Sequence, residues 1–263
     1  MKSESKDLFS NHSKNYAVYR PTHQKDLIEY LVSFVNEKRL VWDVATGNGQ
    51  AASLLADYFD NVIATDLSEK QISEAIKKPN IRYEVEPSEA IDSNLIAPNS
   101  VDLITVAVGI HWFPLDKFYE RVNKVLKKGG IIAAWTYYIP TINEQVDEVQ
   151  NKIHIEKVKQ FEAEEVNYVS NGYANLPWPF RKPDNFQCGE DGVNQKFSVS
   201  KEMDFNQYCE FFKTSSAAQL YFENNGKDII QDHYNEMLEA WGKNPSITRK
   251  VTWNIKLLLG VKE

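Results

Sequence analysis

Asp43, Gly47, Gly49 and Asp66 are the residues whose types and spacing could hold a nucleoside-bearing ligand. Gly47-x-Gly49-x-x-Ala52 follows a short β-rich run, Arg39 to Val44, and Asp66 lies 19 residues after Gly47, closing a second run from Asn61 to Thr65. Glycines at a strand-to-helix turn let backbone approach a ligand, and an acid about twenty residues on suits ribose hydroxyls. That pattern alone does not choose the ligand. Asp43, four positions before Gly47, discriminates. A dinucleotide would put its pyrophosphate beside an ionised carboxylate in a poorly screened cleft, whereas a ligand with cationic groups and no phosphate is complemented by an acid there. Two strand-end acids capping the following helices are the plainer alternative. His111 stands just beyond a nearly continuous apolar run, Val101 to Val108, where an imidazole can position an acceptor or take a proton, or be only a polar residue at a strand end. His12, His23, His154 and His233 have no ligand spacing, so no metal site is expected.

The elements that would position these residues alternate in type. Lys25 to Val35 carries Leu27, Ile28, Leu31, Val32 and Val35 at helical spacing. Strands are expected at Arg39–Val44, Asn61–Thr65, Ile81–Val85, Val101–Val108 and Ile131–Trp135. Helices are expected at Gln50–Tyr58, from Ser68 to Lys78 with Gln71 completing a capping box, and from Pro114 to a Lys127-Lys128-Gly129-Gly130 terminus. This alternation predicts an α/β, doubly wound and mostly parallel sheet, with its ligand at the carboxyl ends of the strands. Beyond Tyr137 comes one charged helix near Ile142 to Val166, most simply a solvated face, then the aromatic, proline-rich stretch Tyr173 to Phe180, read as an inserted cap. Gln195 to Val199 and Lys250 to Lys262 are the last strand candidates. They flank helices at Phe205–Phe212, Ala217–Asn224 and Asp228–Trp241.

Val41-Trp-Asp-Val-Ala-Thr-Gly-Asn-Gly49, Val62-Ile-Ala-Thr-Asp66-Leu-Ser, Ser88-Glu-Ala, Ser100-Val-Asp-Leu-Ile-Thr, Ile110-His-Trp-Phe113 and Leu126-Lys-Lys-Gly-Gly130 resemble the class I S-adenosylmethionine-dependent methyltransferases. His111-Trp112 and Arg20-Pro21 suggest the subgroup similar to trans-aconitate methyltransferase, and Phe9, Tyr16 and Phe211 to Ser216 extend the likeness. The resemblance implies a Rossmann-like sheet of seven strands with the last antiparallel, and S-adenosylmethionine as cofactor. Its cations would face Asp43. The cofactor-binding residues expected are Asp43, Ala45, Gly47, Gly49, Asp66, Leu67, Ser88, Glu89 and Ala107. Tyr16, Arg20, His111 and Trp135 are expected at the acceptor, although Trp112, Trp135 and Trp178 also read as packing. His111 is the candidate catalytic residue through acceptor positioning. Ala45 replaces the first glycine of the turn, which requires its φ to stay negative. Pro87 stands where relatives often carry an acid for the adenine amino group, so adenine falls to Ser88 and Glu89.

The chain of 263 residues fits one domain: an N-terminal lid and helix at 1–36, a cofactor core at 37–136, a cap insertion at 137–193 and a part completing the sheet at 194–263. A formal net charge of −7 argues against a phosphate-backbone binder, so the expected partner is a small-molecule acceptor and not nucleic acid. No stretch approaches 18 uninterrupted apolar residues and the start is polar, so the expectation is no membrane partner and a cytoplasmic location. Cys188 and Cys209 offer neither a disulfide framework nor a metal pair, and both are expected to be reduced and buried. The expected reaction is methyl transfer to a small molecule, with a carboxylate of an organic acid as acceptor. The sequence leaves the oligomeric state open, and the readings weighed against this one are a nicotinamide-dependent oxidoreductase and a degenerate methyltransferase fold serving as a binding module.

Overall fold

The expected β-rich runs become strands β1 (Leu40–Val44), β2 (Asn61–Asp66), β3 (Ile81–Val85), β4 (Val101–Ala107) and β5 (Leu126–Thr136). They are seen in a computed structural model that describes residues 25–263, so the expectations for Tyr16 and Arg20 lie outside the described residues. The five pair in parallel and β8 (Lys256–Val261) joins β5 antiparallel, giving the order β3-β2-β1-β4-β5-β8. Alternation along each strand sends side chains to opposite faces. Val41, Leu103, Ile131, Ala133 and Trp135 enter one buried cluster, while Trp42, Val44, Ile104, Val106, Ile132 and Ala134 enter another. The sheet is therefore covered on both sides, which explains why β4 reads as a nearly continuous apolar run.

Helices flank it: α1 (Lys25–Val32), α2 (Gln50–Leu55), α3 (Glu69–Ser73) and α4 (Leu115–Val125). The Ser68 hydroxyl accepts from Gln71 N at 3.3 Å, as its spacing predicts, but α3 stops at Ser73 rather than Lys78. The rest of that segment is tied to the glycine turn, with Ile76 N donating to Asn48 O and Lys78 Nζ to Ser53 O. The Lys127-Lys128-Gly129-Gly130 stretch is not a helix terminus. Leu126 already opens β5, because Gly129 N and Gly130 O pair with Lys262 and extend the strand backward.

Among the described residues the main sheet has six strands, not seven. The expected Lys250–Lys262 strand divides at buried Ile255: β7 (Arg249–Asn254) leaves to pair with β6 (Ser198–Met203) in a separate two-stranded sheet, and β8 stays with β5. Among the described residues, the free side of β8 meets only isolated bridges, Arg181 to Val261 and Asn194 to Leu257. Pro177, Pro179 and Pro183 lie in the segment that approaches this side, and residues without a backbone donor do not sustain a ladder.

The charged segment expected as one helix is instead α5 (Glu144–Ile153), a π turn at His154–Val158, a 3-10 turn at Lys159–Phe161 and α6 (Val166–Ser170). The Tyr138 hydroxyl lies 2.9 Å from His154 Nε2 and donates to Glu162 Oε1 at 2.7 Å, drawing both ends of the irregular stretch onto one residue. Helices α7 (Phe205–Phe212), α8 (Ser216–Asn225) and α9 (Tyr234–Trp241) follow. Cys209 is buried and Cys188 only half-buried. No helix among the described residues is long and apolar enough to cross a membrane.

Candidate cofactor and acceptor site

At the end of β1, Asp43 is fully buried. Its Oδ1 accepts from the Thr105 hydroxyl and its Oδ2 from the Thr46 hydroxyl, each at 2.6 Å, and the Ala52 N–H in the first turn of α2 also points to it. Burial outweighs these three donors and pushes the carboxyl up to about 6, with Asp66 adding like charge. Asp43 thus ties β1 to β4, to the glycine turn and to α2, partly as the helix-capping alternative expected. Thr105 is its register partner across β1 and β4, a polar residue inside an apolar strand.

The turn after β1 is fixed from the neighbouring strand end. Asp66 Oδ2 accepts from Gly47 N and its Oδ1 from Ser68 N, both at 2.8 Å. Gly47 and Gly49 both have left-handed backbone, φ +56° and +79°, but they differ in what faces them. A methyl added at Gly47 would meet no atom within 4 Å; one added at Gly49 would overlap the Tyr83 hydroxyl, which donates to Ile76 O at 2.7 Å. Leu67, next to Asp66, is exposed.

Ala45 does not keep a negative φ. It sits at +54°, and Val108, beyond the end of the adjacent strand β4, sits at +56°. Left-handed backbone is strained for alanine and a genuine outlier for a β-branched residue, about 1–3 kcal/mol each. Two such residues at the carboxyl ends of neighbouring strands mark the place where this fold family of sheets carries its ligands. The Ala45 methyl also crowds position 109, where a Cβ added to the glycine would stand 3.1 Å away.

Beyond β3, Ser88 is buried and donates to Glu89 Oε2 at 3.0 Å. Arg121 of α4 reaches under this loop, donating to Pro87 O at 2.7 Å and pairing with Glu86. Beyond β4, Ala107 is half-buried and His111 is buried, with Nδ1 3.1 Å from the Tyr173 hydroxyl and its ring against Trp112. Burial lowers His111 to about 3, so the imidazole is neutral across the physiological range. Trp135 lies wholly inside the larger core cluster.

The methyltransferase-domain family model matches residues 42–134, the span from within β1 nearly to the end of β5. A Dictyostelium discoideum protein named as a methyltransferase is 30% identical over 263 residues, 98% of this chain and 95% of its own. The chain belongs to the class I S-adenosylmethionine-dependent methyltransferases. A Saccharomyces cerevisiae methyltransferase, CRG1, named as S-adenosylmethionine-dependent, is 24% identical with 92% of each chain covered. A solved structure of a type II methyltransferase from Anaeromyxobacter dehalogenans superposes with a TM-score of 0.80 at 28% identity, covering 93% of this chain and 98% of that one.

The cofactor of this methyltransferase is S-adenosylmethionine, and the glycine turn fits the group in one respect: the space beside Gly47 is open, with no atom within 4 Å of an added Cβ. Four residues that shape this end of the methyltransferase escaped the sequence. Thr105, Tyr83, Arg121 and Tyr173 act on partners 62, 34, 33 to 35 and 62 positions away, and only Thr105 had a local signal.

Proposed function

We propose that this methyltransferase modifies a small molecule, a carboxylate of an organic acid, by O-methylation. In this reading Gly47, Asp66, Leu67, Ser88, Glu89 and Ala107 hold the cofactor along the carboxyl ends of β1 to β4. Gly49 serves by packing on Tyr83, and Asp43 acts as a buried charge behind the turn. His111 positions the acceptor, with Tyr173 fixing its ring. Tyr16 and Arg20 complete the acceptor side, whereas Trp135, wholly buried in the core, serves packing and not the acceptor; likeness to trans-aconitate methyltransferase supports an acidic substrate. The formal charge of −7 opposes long-range attraction of an acid, so local cations such as Arg20 retain it. The comparisons favour neither a nicotinamide-dependent oxidoreductase nor a binding module.

Bound S-adenosylmethionine supplies an electrophilic methyl whose sulfur leaves as a neutral thioether when the acceptor oxygen takes the methyl in line. The protein's share is alignment and exclusion of water. The observation that carries the carboxylate reading is His111: held near 3, it is a weak proton acceptor, while a carboxylate is already ionised above about pH 5 and gives up no proton.

The single-turnover rate at saturating cofactor is therefore expected to be flat between about pH 6 and 9. His111→Ala should lower it about tenfold to a hundredfold through misplacement and leave the profile flat. A rate that rises through about 6.5 and loses that rise in His111→Ala would show a hydroxyl or amine acceptor deprotonated by His111.

A further inference from the structure

Arg121 projects from the middle of α4 into the protein, where it is 2% exposed. A buried guanidinium is expensive unless its donors are paired, and here each face has a use. NH1 donates to Pro87 O at 2.7 Å and Ser88 O at 3.4 Å, NH2 pairs with the Glu86 carboxylate, and the guanidinium carbon lies 4.4 Å from the centre of the Trp42 ring. The two groups that hold Arg121 are themselves held. Ser93 Oγ donates to Glu86 Oε2 at 2.6 Å, and Trp42 Nε1 donates to Thr65 Oγ1 at 3.0 Å. A single side chain thus binds three consecutive residues, Glu86, Pro87 and Ser88, which leave the outermost parallel strand as irregular chain, and it fixes them against β1.

We propose that Arg121 is a positioning residue for the cofactor, locking the Glu86–Ser88 loop so that the backbone after β3 meets the adenine in a fixed place. This rests on the reading that the adenine meets Ser88 and Glu89. Pro87 offers neither a backbone donor nor a polar side chain, so recognition of the base passes to backbone and to Glu89. Backbone recognition is only as sharp as the loop is rigid, because a hydrogen bond misplaced by a fraction of an ångström no longer distinguishes a base that donates from one that accepts. The planar, forked donor set is what spans two carbonyls and a carboxylate at once; a lysine ammonium at the same point satisfies fewer of them and does not stack on Trp42.

The test compares affinities for S-adenosylhomocysteine and S-inosylhomocysteine, which differ at the base amino group, in wild type, Arg121→Lys and Glu86→Gln. Each is measured by calorimetry, with thermal unfolding followed in parallel. Wild type is expected to prefer the adenine form, and Arg121→Lys to shrink that preference about tenfold, with weaker S-adenosylhomocysteine binding. Glu86→Gln keeps the shape and removes the ion pair, and it should shrink the preference in the same direction, so the test stands even where Arg121→Lys does not fold. A folded variant with a lowered melting temperature and an unchanged preference would overturn the proposal, leaving Arg121 a structural residue only. Wild type that binds S-adenosylhomocysteine but does not distinguish the two bases would overturn the Ser88 and Glu89 placement beneath it, and wild type that binds neither would overturn the cofactor site as a whole.

Discussion

Gly49→Ala is expected to lower folding stability by about 2–5 kcal/mol, the sum of a left-handed alanine and overpacking against Tyr83. The conformation is fixed at φ +79° as the residue before α2, and the Tyr83 hydroxyl that the new methyl would strike is itself bonded to Ile76 O. Gly47→Ala makes the contrast. Its φ of +56° carries the same backbone strain, about 1–2 kcal/mol, but the methyl enters open space. The fold should therefore survive, while binding of S-adenosylhomocysteine falls by tenfold or more because the methyl takes room the cofactor needs. Urea unfolding and calorimetry on both variants separate the two roles. Equal stability losses with equal binding would show that the two glycines do the same thing and that the open side of Gly47 faces no ligand.

The second large effect belongs to Asp43. In the native protein burial holds its carboxyl near 6, against about 3.9 for an unfolded chain. The folded state therefore binds this proton more tightly. The resulting stabilisation is fully present below about pH 4 and is lost as pH rises through about 6, a change on the order of 3 kcal/mol for a shift of about two units. Asp43→Asn has no such group. It keeps the shape, and the Thr46 and Thr105 hydroxyls can both donate and accept, so the variant should fold and should gain stability relative to wild type as pH rises from about 4 to 6. Cofactor affinity should move the opposite way. A cationic ligand nearby favours the ionised carboxylate, so wild-type affinity for S-adenosylmethionine should rise from about pH 5 to 7, by up to about tenfold for each unit by which binding lowers the Asp43 pKa. Asp43→Asn should bind more weakly at pH 7 with little pH dependence. Parallel pH profiles for the two proteins, in both unfolding and binding, would show that Asp43 neither bears the burial penalty nor senses the ligand.

The glycine turn, its flanking strands and the acid at each strand end were legible because each is local: an apolar run of five or six residues, a turn residue that tolerates positive φ, an acid in register. Ala45 shows where local reasoning fails. The rule that a methyl excludes left-handed backbone is right on average, but Ala45 adopts it at the start of a turn whose next residue is pinned by Thr46 N donating to Thr65 O. Helix and strand ends failed for a related reason. Leu126 to Gly130 carries good helix-terminus signals, yet Lys262, far away in the chain, supplies backbone partners and a side chain that donates to Leu126 O at 2.6 Å. Arg121 and Tyr173 were illegible because nothing local marks one charged residue on an amphipathic helix, or one tyrosine in a proline-rich stretch read as a cap, for a partner elsewhere in the chain. What makes them part of the site is the chain they meet on folding.

The most direct test is a calorimetric titration of the wild-type protein with S-adenosylmethionine and S-adenosylhomocysteine against NAD and NADP under one buffer condition. A buried acid behind the turn, a second acid gripping it through Gly47 N and open space beside Gly47 should give clear binding of the two sulfur nucleosides and none comparable for the dinucleotides. NAD or NADP binding as tight as that of S-adenosylmethionine would contradict the cofactor assignment and, with it, methyl transfer as the chemistry of this site.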